Sequence, residues 1–105
     1  MTCRIVVRCR IRDGRVADAL DLLQRINGQI VEMGGVQGEI YQESSGDAVG
    51  GGLAIYWDFA SFSDWGRWED SFPTDEKFQT LFAEVVDPKG PIVAPFERTI
   101  FTSVP

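Results

Sequence analysis

The stretch CRIVVRCRIRDGRVADALDLLQRINGQIVEM, residues 3–33, decides the fold, because its apolar period changes once along its length. From Cys3 to Arg12 the period is two. Cys3, Ile5, Val7, Cys9 and Ile11 fall on one side, and Arg4, Val6, Arg8, Arg10 and Arg12 on the other. Alternation with β-branched residues predicts a strand. Asp13-Gly14 then makes a turn, with Asp13 placed to cap the next element. Beyond it, Val16, Ala19, Leu20, Leu23, Ile26, Ile30 and Met33 recur at intervals of three and four, the mark of an amphipathic helix. Gly28 weakens that helix slightly, and Gly34-Gly35 ends it.

Outward from this unit the pattern continues in the same terms. Val36 to Glu43 reads as a second strand, and 44–52, rich in serine and glycine, as a flexible hairpin loop. Leu53 to Phe59 reads as a third strand, with Leu53, Ile55, Trp57 and Phe59 on one face and Ala54, Tyr56 and Asp58 on the other. Ser61 opens a helical stretch holding Phe62, Trp65, Trp68 and Phe72. Pro73 breaks it, and Thr74 or Asp75 restarts it, with Phe78, Leu81, Phe82, Val85 and Val86 on the apolar side. Pro88, Gly90, Pro91 and Pro95 predict a stiff loop, and Phe96 to Val104 a last strand. The order is βαββαβ. It predicts an α+β, ferredoxin-like domain over residues 1–105, an antiparallel sheet with both helices on one face. The other face is then left to water or to a second subunit.

Composition narrows the chemistry. A net charge of −6 argues against nucleic acid and anionic membranes as partners, since phosphate binding needs a basic face. No apolar run is long enough to span a bilayer and no signal-peptide pattern opens the chain, so a cytoplasmic location is the expectation. The chain contains no histidine. This removes the commonest general base and metal ligand, and with it Ser-His-Asp, Cys-His and zinc arrangements, so no metal site is expected. Cys3 and Cys9, on one strand, are roughly 20 Å apart at about 3.3 Å per residue, too far for a disulfide. They read as small buried hydrophobes.

Two groups of residues carry a possible site. The uncovered sheet face would present Arg4, Arg8, Arg10, Glu39, Tyr41, Glu43, Tyr56 and Asp58. This is either a solvated face with cross-strand ion pairs or a pocket wall, in which arginines orient an anionic ligand and tyrosines donate hydrogen bonds. The aromatic group Trp57, Trp65 and Trp68, with Phe59, Phe62 and Phe72, is either core or a stacking wall for a flat ring system. Arg67 lies between two of the tryptophans, as a solvated charge or a ligand contact. Asp58 is the candidate general base if burial raises its pKa, and a structural residue if Arg8 or Arg10 pairs with it.

The run Arg10-Ile11-Arg12-Asp13-Gly14-Arg15 before a long helix, the strand Ile40-Tyr41-Gln42-Glu43, the strand Ala54-Ile55-Tyr56-Trp57-Asp58-Phe59, and Asp75-Glu76-Lys77-Phe78-Gln79 at a helix restart together resemble the dimeric α/β-barrel superfamily. Within it, the similarity is to the antibiotic-biosynthesis-monooxygenase-like domains. The resemblance implies a homodimer whose two sheets form a barrel, and a pocket between sheet and helices. It implies cofactor-free oxygenation of an aromatic, polyketide-type small molecule, with no cofactor required. The alternatives on the same scaffold are a polyketide cyclase or isomerase and a non-enzymatic ligand-binding dimer. The implied roles fall on Asp58, Tyr56 and Arg8 as catalytic residues, and on Arg10, Tyr41, Trp57, Trp65, Arg67 and Trp68 as substrate-binding ones. The histidine frequent in the family's second helical region is missing here, where Arg67 to Asp70 stand, which argues against haem degradation.

Overall fold

A computed structural model describes residues 2–43 and 52–104 of the chain. β1 (Cys3–Ile11) is followed by α1 (Val16–Glu32), β2 (Glu39–Glu43), β3 (Gly52–Phe59), α2 (Phe62–Glu69), a 3₁₀ turn at Phe72–Thr74, α3 (Glu76–Val85) and β4 (Ile92–Thr102). The four strands form one antiparallel sheet in the order β2-β3-β1-β4, the ferredoxin-like arrangement. The expected hairpin loop at 44–52 lies, but for Gly52, outside the described residues. The molecule measures 39 × 34 × 19 Å. The short dimension fits one sheet plus one helical layer at a spacing of about 10 Å, and leaves the second sheet face uncovered.

The core forms where the two periodicities meet. Cys3, Ile5, Cys9 and Ile11 from β1, Leu53, Ile55, Trp57 and Phe59 from β3, and Ile92 from β4 pack under Ala19, Leu22, Leu23, Ile26 and Ile30 of α1 and Phe78 and Val85 of α3. Leu22 is fully buried, one position outside the stripe drawn from the sequence. At about 1.5–3 kcal/mol for each fully buried large apolar side chain, this seam is the main stabilising contribution.

Local chemistry explains the element ends. Gly14 and Gly34 adopt φ of 74° and 84°, the left-handed region that suits glycine, on either side of α1. The helix N-cap is Arg15, with no side-chain cap bond, so Asp13 does not take the expected role. Ser61 caps α2 by accepting from the Asp64 N–H at 3.1 Å, and Asp75 caps α3 by accepting from the Phe78 N–H at 2.7 Å. Pro73 sits in the 3₁₀ turn that separates the two helices, as its missing N–H requires.

Two strands begin elsewhere than the sequence predicts. β4 starts at Ile92, not at Phe96. Ile92 pairs with Ile11 and Val93 with Arg10, then the register shifts, and Glu97 is next opposite Arg8. The bulge falls on the stretch containing Pro95, so the proline has no ladder bond to lose on this edge strand. β2 starts at Glu39, not at Val36, because the backbone of Gly38 is already engaged. Its N–H donates to Asn27 Oδ1 at 3.2 Å, and its carbonyl accepts from Asn27 Nδ2 at 2.9 Å. The same Oδ1 accepts from Trp57 Nε1 at 3.1 Å. Among the described residues Asn27 is the buried polar residue, and all its bonds reach groups that would otherwise be orphaned. A side chain at position 38 has no room: a Cβ there would stand 2.6 Å from Trp57 Nε1.

No helix among the described residues is long and apolar enough to cross a membrane.

Replacing Asn27 by Leu leaves the Trp57 N–H and both backbone groups of Gly38 buried without partners. We expect a loss of about 3 kcal/mol in urea unfolding with an unchanged m-value. A loss below about 1 kcal/mol would show that these groups find water instead.

Candidate functional site

The sheet presents two quite different surfaces, and the sequence-predicted site residues divide between them. Alternation along β3 sends Trp57 towards the helices and Tyr56 and Asp58 to the uncovered side. β1 does the same with Ile5, Val7 and Cys9 against Arg4, Arg8 and Arg10.

On the helix side lies a cavity of about 350 Å³, at the small end of the about 300–1,000 Å³ range of ligand sites. Its floor is Ile5, Val7, Cys9, Ile55 and Trp57 of the sheet. α1 contributes Leu23, Ile26 and Ile30 along one side. The opposite side is aromatic: Trp65 and Trp68 from α2, Phe72 from the 3₁₀ turn, Phe78 and Phe82 from α3, and Phe96 from β4. These rings are mutually ordered. Phe72 stacks on Phe78 with centroids 4.1 Å apart, and Trp68 meets the edge of Phe72 at 4.2 Å. Burial pushes the Cys9 thiol up to about 11, so it is a neutral wall atom at physiological pH.

Among the described residues one charged side chain reaches this wall, Arg98 of β4. It stands opposite Val7 in the β1 ladder, and its guanidinium lies 5.6 Å from the centre of the Trp65 ring. Its Nη1 donates to Oε1 of Glu69, the last residue of α2. Neither Arg98 nor Glu69 stands out in the sequence. The face taken by the last strand depends on the bulge after Val93, which no local pattern announces. The phenylalanines of α3 are legible as a helix face, but whether they close a core or edge a cavity depends on how far α3 stands from β1.

Trp57, Trp65 and Trp68 are thus brought together. Trp68 Nε1 is buried without a hydrogen-bond partner among the described residues. It rests against Gly35, where a Cβ would lie 2.4 Å from it. Arg67 is not on the cavity wall. It is exposed, pairs with Asp64 one turn earlier, and borders a shallow cleft on the outer side of Trp68.

The remaining predicted residues lie on the uncovered face, separated from the cavity by the sheet. Asp58 pairs with Arg4, directly opposite it in the ladder, rather than with Arg8 or Arg10. Arg4 Nε donates to Oδ1 at 2.7 Å and Nη2 to Oδ2 at 3.0 Å. Arg4 also lies 5.5 Å from the centre of the Tyr56 ring. Tyr41 meets Tyr56 edge-on at 5.3 Å and donates its hydroxyl proton to Glu39, a bond that holds the Tyr41 hydroxyl above its ordinary pKa. Arg8 and Arg10 are exposed on the same face, opposite Ala54 and Gly52. The hydrogen bond from Arg4, aided by its charge, holds the Asp58 carboxyl below the usual range. A general base near neutral pH needs the opposite shift. Among the described residues no cluster of three carboxylate or thiol side chains is placed to hold a metal ion.

The pairing has a defined pH dependence. A carboxyl with a depressed folded pKa stabilises above its unfolded value, near about 3.9, and the contribution is lost as the pH falls through the folded value. Both partners are more than half exposed, so solvent screening limits the effect to a few tenths of a kcal/mol. We expect Asp58→Asn to cost about 0.5 kcal/mol or less at pH 7, with the gap to the parent protein closing as the pH falls below the ordinary carboxyl range. Occupancy of the cavity should not change. A loss above about 2 kcal/mol in urea titrations at neutral pH would contradict the exposed-pair reading.

The sequence matches no protein-family model and no curated protein. The fold does have solved counterparts. A NIPSNAP domain protein from Burkholderia xenovorans superposes with a TM-score of 0.75 at 16% identity, over 99% of this chain and 95% of its own. A protein from Nitrosomonas europaea classed with the antibiotic biosynthesis monooxygenases gives 0.71 at 12% identity, over 98% and 90%. SnoaB, a cofactor-independent oxygenase from Streptomyces nogalater, gives 0.70 at 12% identity, over 97% and 92%. At these identities the likeness is one of fold: this chain shares the ferredoxin-like arrangement of one antiparallel sheet under a layer of helices with these solved structures.

Proposed function

We propose that this protein binds a planar aromatic small molecule of polyketide type in the cavity between sheet and helices, and oxygenates it without a cofactor. The observation that carries the reading is the wall itself: one side is a continuous set of indole and phenyl rings, and a single guanidinium is the charged group beside it. Such a surface favours a flat ring system by stacking and by apolar burial. The fold shared with SnoaB supports the choice of chemistry.

In that chemistry an electron-rich substrate, ionised at a phenol or enol, supplies electrons to molecular oxygen directly. One CH₂ group becomes a carbonyl, O₂ supplies its oxygen atom, and the second oxygen atom leaves with the two hydrogens as water. The tasks left to the protein are to hold the ring, to keep bulk water away and to stabilise the anion. Arg98 is the residue for the last task, because a cation beside an apolar wall acts in a lower dielectric than in water. Asp58, Tyr56 and Arg8 have no part in this reading, since they stand on the far side of the sheet. The cyclase alternative requires a proton acceptor facing the substrate, and among the described residues no carboxylate lines the cavity.

Titration with aromatic phenols and quinols should quench tryptophan emission, with oxygen consumed stoichiometrically by those that turn over, as read on an oxygen electrode. Quenching without oxygen uptake would reduce the reading to a binding protein. The absence of quenching across the panel would remove it.

We further propose that the protein works as a homodimer paired through the uncovered sheet face. Phe101, opposite Arg4 on that face, is 54% exposed, and Tyr41 on the same face is 52% exposed. Sedimentation should give a dimer mass that Phe101→Asp converts to monomer. A concentration-independent monomer in the parent protein would count against the pairing.

A further inference from the structure

Arg98 is only partly committed. Its side chain is 48% exposed, and its bond to Glu69 uses Nη1. Among the described residues nothing accepts from Nε or Nη2. Two of the three nitrogen atoms of the fork therefore have no acceptor among the described residues, at the edge of an otherwise apolar cavity. The carboxylate that does reach the guanidinium comes from the end of α2, the helix that also supplies Trp65 and Trp68 to the wall. Arg98 lies close to the Trp65 ring, so a group bound to the fork stands beside the aromatic wall.

We propose that the ligand is a monoanion, a planar aromatic body ending in one carboxylate or ionised phenol, and that Glu69 stands in for that anion on Arg98 until the ligand arrives. This rests on the cavity reading above and specifies the ligand class for it. Three physical points support it. A guanidinium presents up to five N–H donors and favours bidentate capture of an oxyanion, a geometry that the bond through Nη1 leaves unfilled. A neutral ligand covering Arg98 would strip water from the fork without replacing its hydrogen bonds, which is unfavourable. A ligand anion restores those bonds, and Glu69, 31% exposed, can turn to solvent at little cost. Glu69 also sets selectivity in the other direction, because its negative charge beside the fork raises the threshold for weakly acidic ligands.

The test compares 2-naphthoate with its neutral isostere naphthalene-2-carboxamide, by calorimetry and tryptophan quenching at pH 7. The parent protein should bind the naphthoate about tenfold more tightly. Glu69→Gln should widen that ratio several-fold by removing the competing carboxylate, while leaving the carboxamide nearly unchanged. Arg98→Met should bring the ratio to about one, and Arg98→Lys, which keeps the charge but not the fork, should fall between. Circular dichroism of each variant separates these effects from misfolding. Equal affinities in the parent protein, or a weaker naphthoate affinity in Glu69→Gln, would overturn the anion selectivity while leaving the aromatic cavity standing. Failure of both compounds to bind would overturn the cavity reading and the selectivity together.

Discussion

The three hydrogen bonds at Asn27 hold the two layers of this protein in register. Apolar packing between α1 and the sheet is non-directional, and slides at little cost. The amide of Asn27 is directional. It ties the middle of α1 to the indole nitrogen of Trp57 on β3 and to both backbone groups of Gly38 just before β2. The helix is thereby fixed along its axis, the Trp57 ring is fixed in its plane, and the chain entering β2 is fixed at the sheet edge. The cavity floor inherits its shape from this arrangement, because Trp57 is the largest side chain the sheet contributes to it. Such a network is worth keeping only when every member is satisfied, and here both the oxygen and the nitrogen of the amide have partners.

The two faces of the sheet around this anchor have separate physical characters. The inner face is apolar and aromatic, and among the described residues its charge lies in the Arg98–Glu69 pair at the margin. The outer face is a lattice of exposed charges and tyrosines, in which Arg4 serves Asp58 through two hydrogen bonds and Tyr56 through its ring. Charges on the outer face act in high dielectric and are worth little individually. The guanidinium of Arg98 is exposed to a similar degree, but it stands beside the apolar cavity wall. Position relative to the sheet, more than residue type, therefore decides which arginine borders the cavity.

Much of the fold was legible from periodicity, because alternation in Cys3–Ile11 and the three-four spacing in Val16–Ile30 report directly which side chains share a face. The start of β2 was not, because an asparagine in a helix reads as solvent-facing until its partners are known. The start of β4 was not, because Pro95 argues against a strand unless a bulge takes up the residues around it. The aromatic half of the site was readable as a cluster at Trp57, Trp65 and Trp68. Its union with Tyr56, Asp58 and Arg8 was not sustained, since adjacent residues of one strand point to opposite sides. The choice of Arg4 over Arg8 as partner to Asp58 is a matter of ladder register, which is set by pairing across the sheet and leaves no trace in either segment alone.

The sheet order carries a consequence for how the chain assembles. β1 is an interior strand, and its neighbour on one side is β4, with Cys3 opposite Thr102. A second contact binds the same ends, where the Ser103 N–H donates to the Thr2 carbonyl at 3.0 Å. During synthesis β1 therefore waits for β4 before its second edge is closed. Until then Ile5, Val6 and Val7 sit on a strand with an open row of backbone donors and acceptors, the condition that invites pairing with a neighbouring chain. Closure across nearly the whole sequence also makes the final step slow for a domain of this size. The arginines interleaved along β1, at positions 4, 8 and 10, keep one face of that waiting strand charged and disfavour its association with copies of itself.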